Sequence, residues 1–142
     1  MEDVAMLNLT DAMVGSEITL VGWLADREDG LFLLDNHHPE DINHLLRIRL
    51  VNGDVMYPIL ASVPSLVGGM SLIFSRARVS GILINAKPLT MIGREISVEI
   101  IRGSGIYVSV NISQDVVNKY VEERGAYQFG AVRPSARDWL KD

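Results

Sequence analysis

The sequence predicts a mainly β chain: a small five-stranded antiparallel barrel with one extra strand and a C-terminal α-helix, in a single domain over residues 1–142. Three observations carry this. Apolar residues recur with a period of two through most of the chain, glycines interrupt the alternation at Gly22 and Gly81, and one late stretch alone has the spacing of an amphipathic helix. Several short strands expose edges that only closure removes, which favours a barrel over a sandwich.

The elements follow in order. Glu17 to Ala25 alternates Ile18, Leu20, Gly22 and Leu24 against Thr19, Val21 and Trp23, and a polar turn over Asp26 to Gly30 leads into a short strand, Leu31 to Leu34. His44 to Val51 places Leu46, Ile48 and Leu50 on one face and Arg47 and Arg49 on the other. Asn52-Gly53-Asp54 then reads as a tight hairpin turn into a strand over Val55 to Ile59. Ser62 to Gly69 is a helical turn or loop at best, since Pro58 and Pro64 remove backbone donors and Gly68-Gly69 ends any helix.

Ser71 to Ile84 has a long strand pattern in which Ala77 and Val79 alternate with Arg76 and Arg78, with Gly81 marking a bend or bulge. Glu95 to Ile101 alternates again. Gly103-Ser104-Gly105 turns the chain into an extra strand within Ile106 to Ile112, which completes a core over about 17–112. The helix spans about 114–124: Ser113 is placed to cap it, Asp115 suits its positive end, Val116, Val117, Tyr120 and Val121 form its stripe, and Gly125 ends it. The tail, 126–142, holds Trp139 and Leu140, expected to dock on the barrel because a free tail would leave them wet. Trp23, outward by alternation, is expected to be covered by the C-terminal segment rather than to serve as a contact anchor.

Composition narrows the role. With 48% hydrophobic and 22% charged residues the chain is ordinary globular protein, neither disordered nor collagenous nor coiled coil. Cysteine is absent, so no disulfide or thiolate metal site is available and a reducing compartment suits the fold. Residues 1–11 carry Glu2, Asp3 and Asp11 without a Lys or Arg, the opposite of a secretory start, and the apolar runs are far below the roughly 20 residues of a membrane span. A cytoplasmic protein without membrane contact is expected. The acceptor patterns Asn8-Leu9-Thr10 and Asn111-Ile112-Ser113 then have no glycosylation chemistry behind them.

The net charge of −5 is unevenly spread. Residues 1–43 carry ten carboxylates against Arg27 alone, whereas 44–102 hold seven cations against Asp54, Glu95 and Glu99. Dense carboxylates can mask a basic surface on another protein and steer its approach. Asp26, Glu28, Asp29, Asp35, Glu40 and Asp41 are the candidates for that contact.

Val21-Gly22-Trp23-Leu24, then Arg27, Gly30 and Leu31-Phe32-Leu33-Leu34-Asp35, resembles the opening strands of OB-fold domains, particularly the anticodon-binding domains of aspartyl, asparaginyl and lysyl tRNA synthetases. Arg78 to Leu83 with Arg94 to Ile100 is similar to the fourth and fifth strands, so the likeness covers about 17–101. It implies an OB-type barrel, places Phe32 at the base-stacking aromatic and Arg27 at a nearby basic position, and implies binding of single-stranded nucleic acid. The chain departs from the pattern in a longer insertion, Asn36 to Asn43, and in offering Arg47 and Arg49 where the family reads bases. At 142 residues only the module, and not a synthetase, is shared.

Two readings of the arginines follow. Arg47 and Arg49, and Arg76 and Arg78, are spaced by two and project away from the barrel interior. If the faces adjoin, four guanidinium groups with Phe32 would make a basic groove with a stacking platform for single-stranded DNA or RNA. Otherwise they pair across strands with Glu99, Glu95 or Asp35 and solvate the barrel, the reading that few exposed aromatics and a negative net charge favour.

No catalytic site is expected. Asp35, His37, His38, Glu40, Asp41 and His44 include metal-binding groups, but adjacent histidines diverge, no H-E-x-x-H spacing occurs, and a solvated turn before Pro39 uses the same residues. Gly103-Ser104-Gly105 lacks the lysine and following helix of a phosphate loop. No nucleophile elbow is present, so no enzyme, cofactor or metal is expected. The primary expectation is a binding protein acting on another protein, as an inhibitor, immunity-type neutraliser or assembly adaptor.

Overall fold

A computed structural model of the chain describes residues 6–35, 46–62, 74–101 and 103–129. Six strands follow in sequence: β1 (Glu17–Arg27), β2 (Gly30–Asp35), β3 (Arg47–Leu50), β4 (Phe74–Ala86), β5 (Leu89–Glu99) and β6 (Tyr107–Val110). Two helices, α1 (Met56–Ser62) and α2 (Gln114–Arg124), stand after β3 and β6. The sheet runs β3-β2-β1-β4-β5-β6, and an additional β3–β5 pairing closes the first five strands into a barrel. This is the architecture expected from the alternation, with one correction. The barrel is mixed, because β3 and β5 run parallel through Arg49↔Thr90 and Leu50↔Met91.

That closure explains a second correction. Asn52-Gly53-Asp54 does not turn a hairpin, and Val55 to Ile59 is not a strand: Gly53–Val55 is a 3-10 turn that runs directly into α1. A hairpin partner on β3 would occupy the edge that β5 uses. Instead the Val51 N–H donates to the Met91 carbonyl at 2.9 Å. The Asn52 amide then clamps Gly93, donating to its carbonyl at 2.7 Å and accepting its N–H at 2.9 Å. The chain leaves β3 already tied to β5 and must cross the barrel end. Pro58 is tolerated because it falls in the first turn of α1.

Inside the barrel the alternation holds as read. Leu20, Leu24, Leu33, Ile48, Leu50 and Val79 are all at most 1% exposed and share one core. Gly22 and Gly81 are positions where backbone meets backbone: a Cβ on Gly22 would overlap the Leu34 carbonyl, and one on Gly81 the carbonyl of Ile92. The register between β4 and β5 shifts at Ser80/Gly81, which is the expected bulge. Gly93, opposite Gly81, broke the apparent alternation of β5, which begins at Leu89 rather than Glu95.

α2 lies where the spacing put it, and Gly125 ends it at φ 77° with its N–H on the Val121 carbonyl at 2.7 Å. Ser113 stands at the N-cap, but its side chain makes no capping bond. Val117 and Val121 join the barrel core, while Tyr120 stacks on Tyr57 of α1 at 5.3 Å. The Tyr57 hydroxyl donates to the Gly125 carbonyl at 2.9 Å, and Asp54 accepts the Tyr127 N–H at 2.8 Å. These bonds join α2 and the segment after it to the crossing over the barrel end. Trp139 and Leu140 lie outside the described residues.

Candidate functional site

The outer face of the barrel reads across four strands. One row of register partners is Arg47, Leu34, Trp23 and Arg76; a second contains Arg49, Phe32 and Ala25. Both arginine pairs therefore point outward on the same side of the sheet, as their spacing requires. They do not form one cluster. On this face two strands lie between them, and Leu34 and Trp23 separate Arg47 from Arg76 in the row.

The strip between the pairs is apolar. Ala25, Phe32 and Leu34 form a small second cluster with half-buried Trp23 packed against it. Phe32 is only 6% exposed. The Arg47 guanidinium sits over the Phe32 ring at 4.8 Å from its centroid, and that of Arg76 over Trp23 at 5.8 Å. Each guanidinium thus covers the aromatic face that a base would need. Trp23 is half-buried beside Arg76, and residues 130–142 of the C-terminal segment expected to cover it lie outside the described residues.

A groove of about 290 Å³ opens at one end of this face, lined by Asp29, Phe32, Arg47, Arg49, Pro88, Leu89 and Thr90. Its walls come from three places: the β1–β2 turn, the outer side of β2 and β3, and the β4–β5 turn, where the Lys87–Pro88 peptide is cis. Gly30, at φ 143°, makes room for one wall, since a Cβ there would lie 3.0 Å from the Arg49 Nε.

The acidic candidates are divided. Asp26 is 1% exposed and engaged inside the protein, which removes it from any contact surface. Glu28 and Asp29 are exposed on the β1–β2 turn, and Asp35 is half-buried at the end of β2. Glu40 and Asp41, with His37, His38 and His44, lie outside the described residues. Among the described residues no group of three metal-ligating side chains occurs. Arg27 is half-buried at the end of β1, and Arg78 is exposed between Val21 and Ser97. Glu99, offered above as an arginine partner, is 5% exposed and accepts the N–H groups of Gly103 at 3.1 Å and Gly105 at 2.8 Å.

Pro88, Leu89 and Thr90 escaped the sequence reading. The signal was there: a Lys87-Pro88 turn followed by Leu89 to Ile92 is a strand start, hidden by the break at Gly93.

No family model and no curated protein matches this chain. Its fold is similar to that of a solved OBody bound to hen egg-white lysozyme, at 13% sequence identity and a TM-score of 0.45, over 71% of this chain and 96% of that one.

Proposed function

We propose that the protein is a non-enzymatic binding module that engages another protein through the groove between the β1–β2 and β4–β5 turns. The observation that supports this best is the groove's mixed lining: two exposed arginines, one exposed carboxylate and an apolar wall at Pro88 and Leu89. A protein segment can satisfy all three at once. A polyphosphate chain meets Asp29 as a repulsion and finds the Phe32 ring already covered. The acidic first third of the chain, with Glu28 and Asp29 at the rim, suits a partner that also carries basic groups and is drawn in by charge. Inhibition, neutralisation or adaptor work in the cytoplasm fits such a module, and no side-chain set described above assembles a catalytic template.

The test is affinity capture from the native host followed by titration of the purified partner. One stoichiometric protein partner is expected, with association slowed by salt and binding weakened at least tenfold by Arg49→Glu. Recovery of no partner, or binding indifferent to Arg49→Glu, overturns the proposal.

A second reading has a specific observation behind it: Phe32, placed at the base-stacking position by the likeness to anticodon-binding domains, and Arg47 and Arg49, placed outward by their spacing, do line one groove. It requires Arg47 to swing off the ring. Fluorescence anisotropy with labelled single-stranded DNA and RNA at about 50 mM salt separates the readings. Binding lost in Arg47→Ala and Phe32→Ala would favour nucleic acid, and no binding ends that reading.

A further inference from the structure

The edge of β5 is shared by two strands. β3 takes its first part, at Thr90 and Met91, and β6 takes its last part, from Ile96 to Glu99. Beyond that last part the hairpin continues without cover. Ile96 and Val98 alternate on β5 with Ile100 just past its end, and Val110 and Val108, their partners on β6, alternate with Ile106 just before it. Ile96, Val98 and Val110 are buried in the core. Ile100, Val108 and Ile106 are 37%, 39% and 69% exposed, and Ile101 next to them 70%. The apolar pattern that fills the barrel runs past its end into solvent.

β6 is also the last strand of the sheet, so only one of its edges is paired among the described residues. Exposed edges in proteins are normally guarded by a charge, a proline or a bulge. This one has none of them: from Gly103 to Gln114 there is no charged residue and no proline, and the β5–β6 register is unbroken. The strand is held firmly nonetheless, because Glu99 binds the loop backbone at Gly103 and Gly105.

We infer that β6 is a self-association edge, and that a second copy of this chain pairs with it antiparallel about a two-fold axis. Charge selects that occupant. The molecule carries −5, so two copies repel over most of their surfaces but not along an uncharged strand, where a self-pairing brings no like charges together. The pattern also selects a register. Pairing centred on Tyr107 sets that residue across from its own copy and sets Ile106 across from Val108 of the partner copy, which covers the two exposed apolar residues and keeps each face continuous. Four strand residues and a few apolar side chains bury less than the roughly 1,200 Å² of a standard stable interface. The dimer is therefore reversible and forms with rising concentration.

Sedimentation of the full chain tests this. The mass is expected to rise from 15.7 kDa towards twice that value between about 1 µM and about 500 µM, and Val108→Lys, which restores a guarding charge, is expected to hold it at the monomer. The chain has no cysteine, so Tyr107→Cys provides a second reading independent of how Val108→Lys folds. Facing residues across a two-fold lie within disulfide reach, so Tyr107→Cys is expected to give a covalent dimer on mild oxidation. Ser109→Cys, on the same face but about 14 Å from its copy in this register, is expected to stay monomeric. A wild-type monomer at every concentration, or crosslinking of Ser109→Cys in preference to Tyr107→Cys, overturns the inference.

Discussion

The two ends of β5 have opposite surroundings. At Thr90 the strand feeds a groove where Arg47 and Arg49 border the apolar surface and Arg47 lies on Phe32. Nine residues on, at Glu99, it feeds a hairpin whose apolar residues carry no such cover. Both ends present hydrophobic side chains outside the closed barrel. The first has been made a managed surface, with guanidinium groups over its rings; the second has been left neutral and open along a strand edge. An outward apolar residue is therefore not one kind of feature. Whether a cation lies over it decides whether it behaves as a second core or as a contact.

The sharpest way to break this contrast is Phe32→Ala. Phe32 is outside the barrel, yet at 6% exposure it is expected to behave as core and to cost about 3 to 5 kcal/mol in urea denaturation. A loss below about 1 kcal/mol would mean that the outer cluster is only loosely held and that Arg47 does not act as its cover.

Much of this contrast is legible in the sequence, and the missing part has a physical cause. Alternation placed Arg47, Arg49, Arg76 and Arg78 outward and Leu20, Leu24 and Ile48 inward, because a period of two is a local property of a strand. Alternation could not show that Phe32 and Trp23 lie between the arginine pairs, since that depends on strand order. Nor could it show that Asn52 leaves β3 towards Gly93: an Asn-Gly-Asp sequence serves a hairpin equally well, and only the long-range β3–β5 pairing excludes one. Asp26 was misplaced for a related reason. It continues β1 with the parity of Leu24, so the polar turn begins later, at Glu28.

A smaller effect sharpens the hairpin side. Glu99→Ala removes the carboxylate that accepts two loop N–H groups and is expected to cost about 1 to 3 kcal/mol. Hydrogen exchange gives the more specific readout: the amides of Gly103 and Gly105 should exchange faster while those of the barrel strands do not. Unchanged protection at both glycines would show that the loop is ordered by something other than this carboxylate.

The smallest expected effect is the one that separates the two ends most cleanly. Ile106 is as apolar as Phe32 and also outside the barrel, but at 69% exposure it gains little from the fold of its own chain. In dilute solution, near 1 µM, Ile106→Thr is expected to change stability by no more than about 0.5 kcal/mol, as for other surface sites. At several hundred micromolar the wild-type chain should gain stability, because anything that binds only the folded state shifts its unfolding by mass action. Ile106→Thr should lose that gain. Thermal unfolding of both proteins at the two concentrations checks it: a midpoint that rises with concentration in the wild type and stays flat in the variant assigns Ile106 to an interface between copies. Equal midpoints at both concentrations in the wild type would place the hairpin's apolar residues outside any self-contact, and the two ends of β5 would then differ in exposure without differing in role.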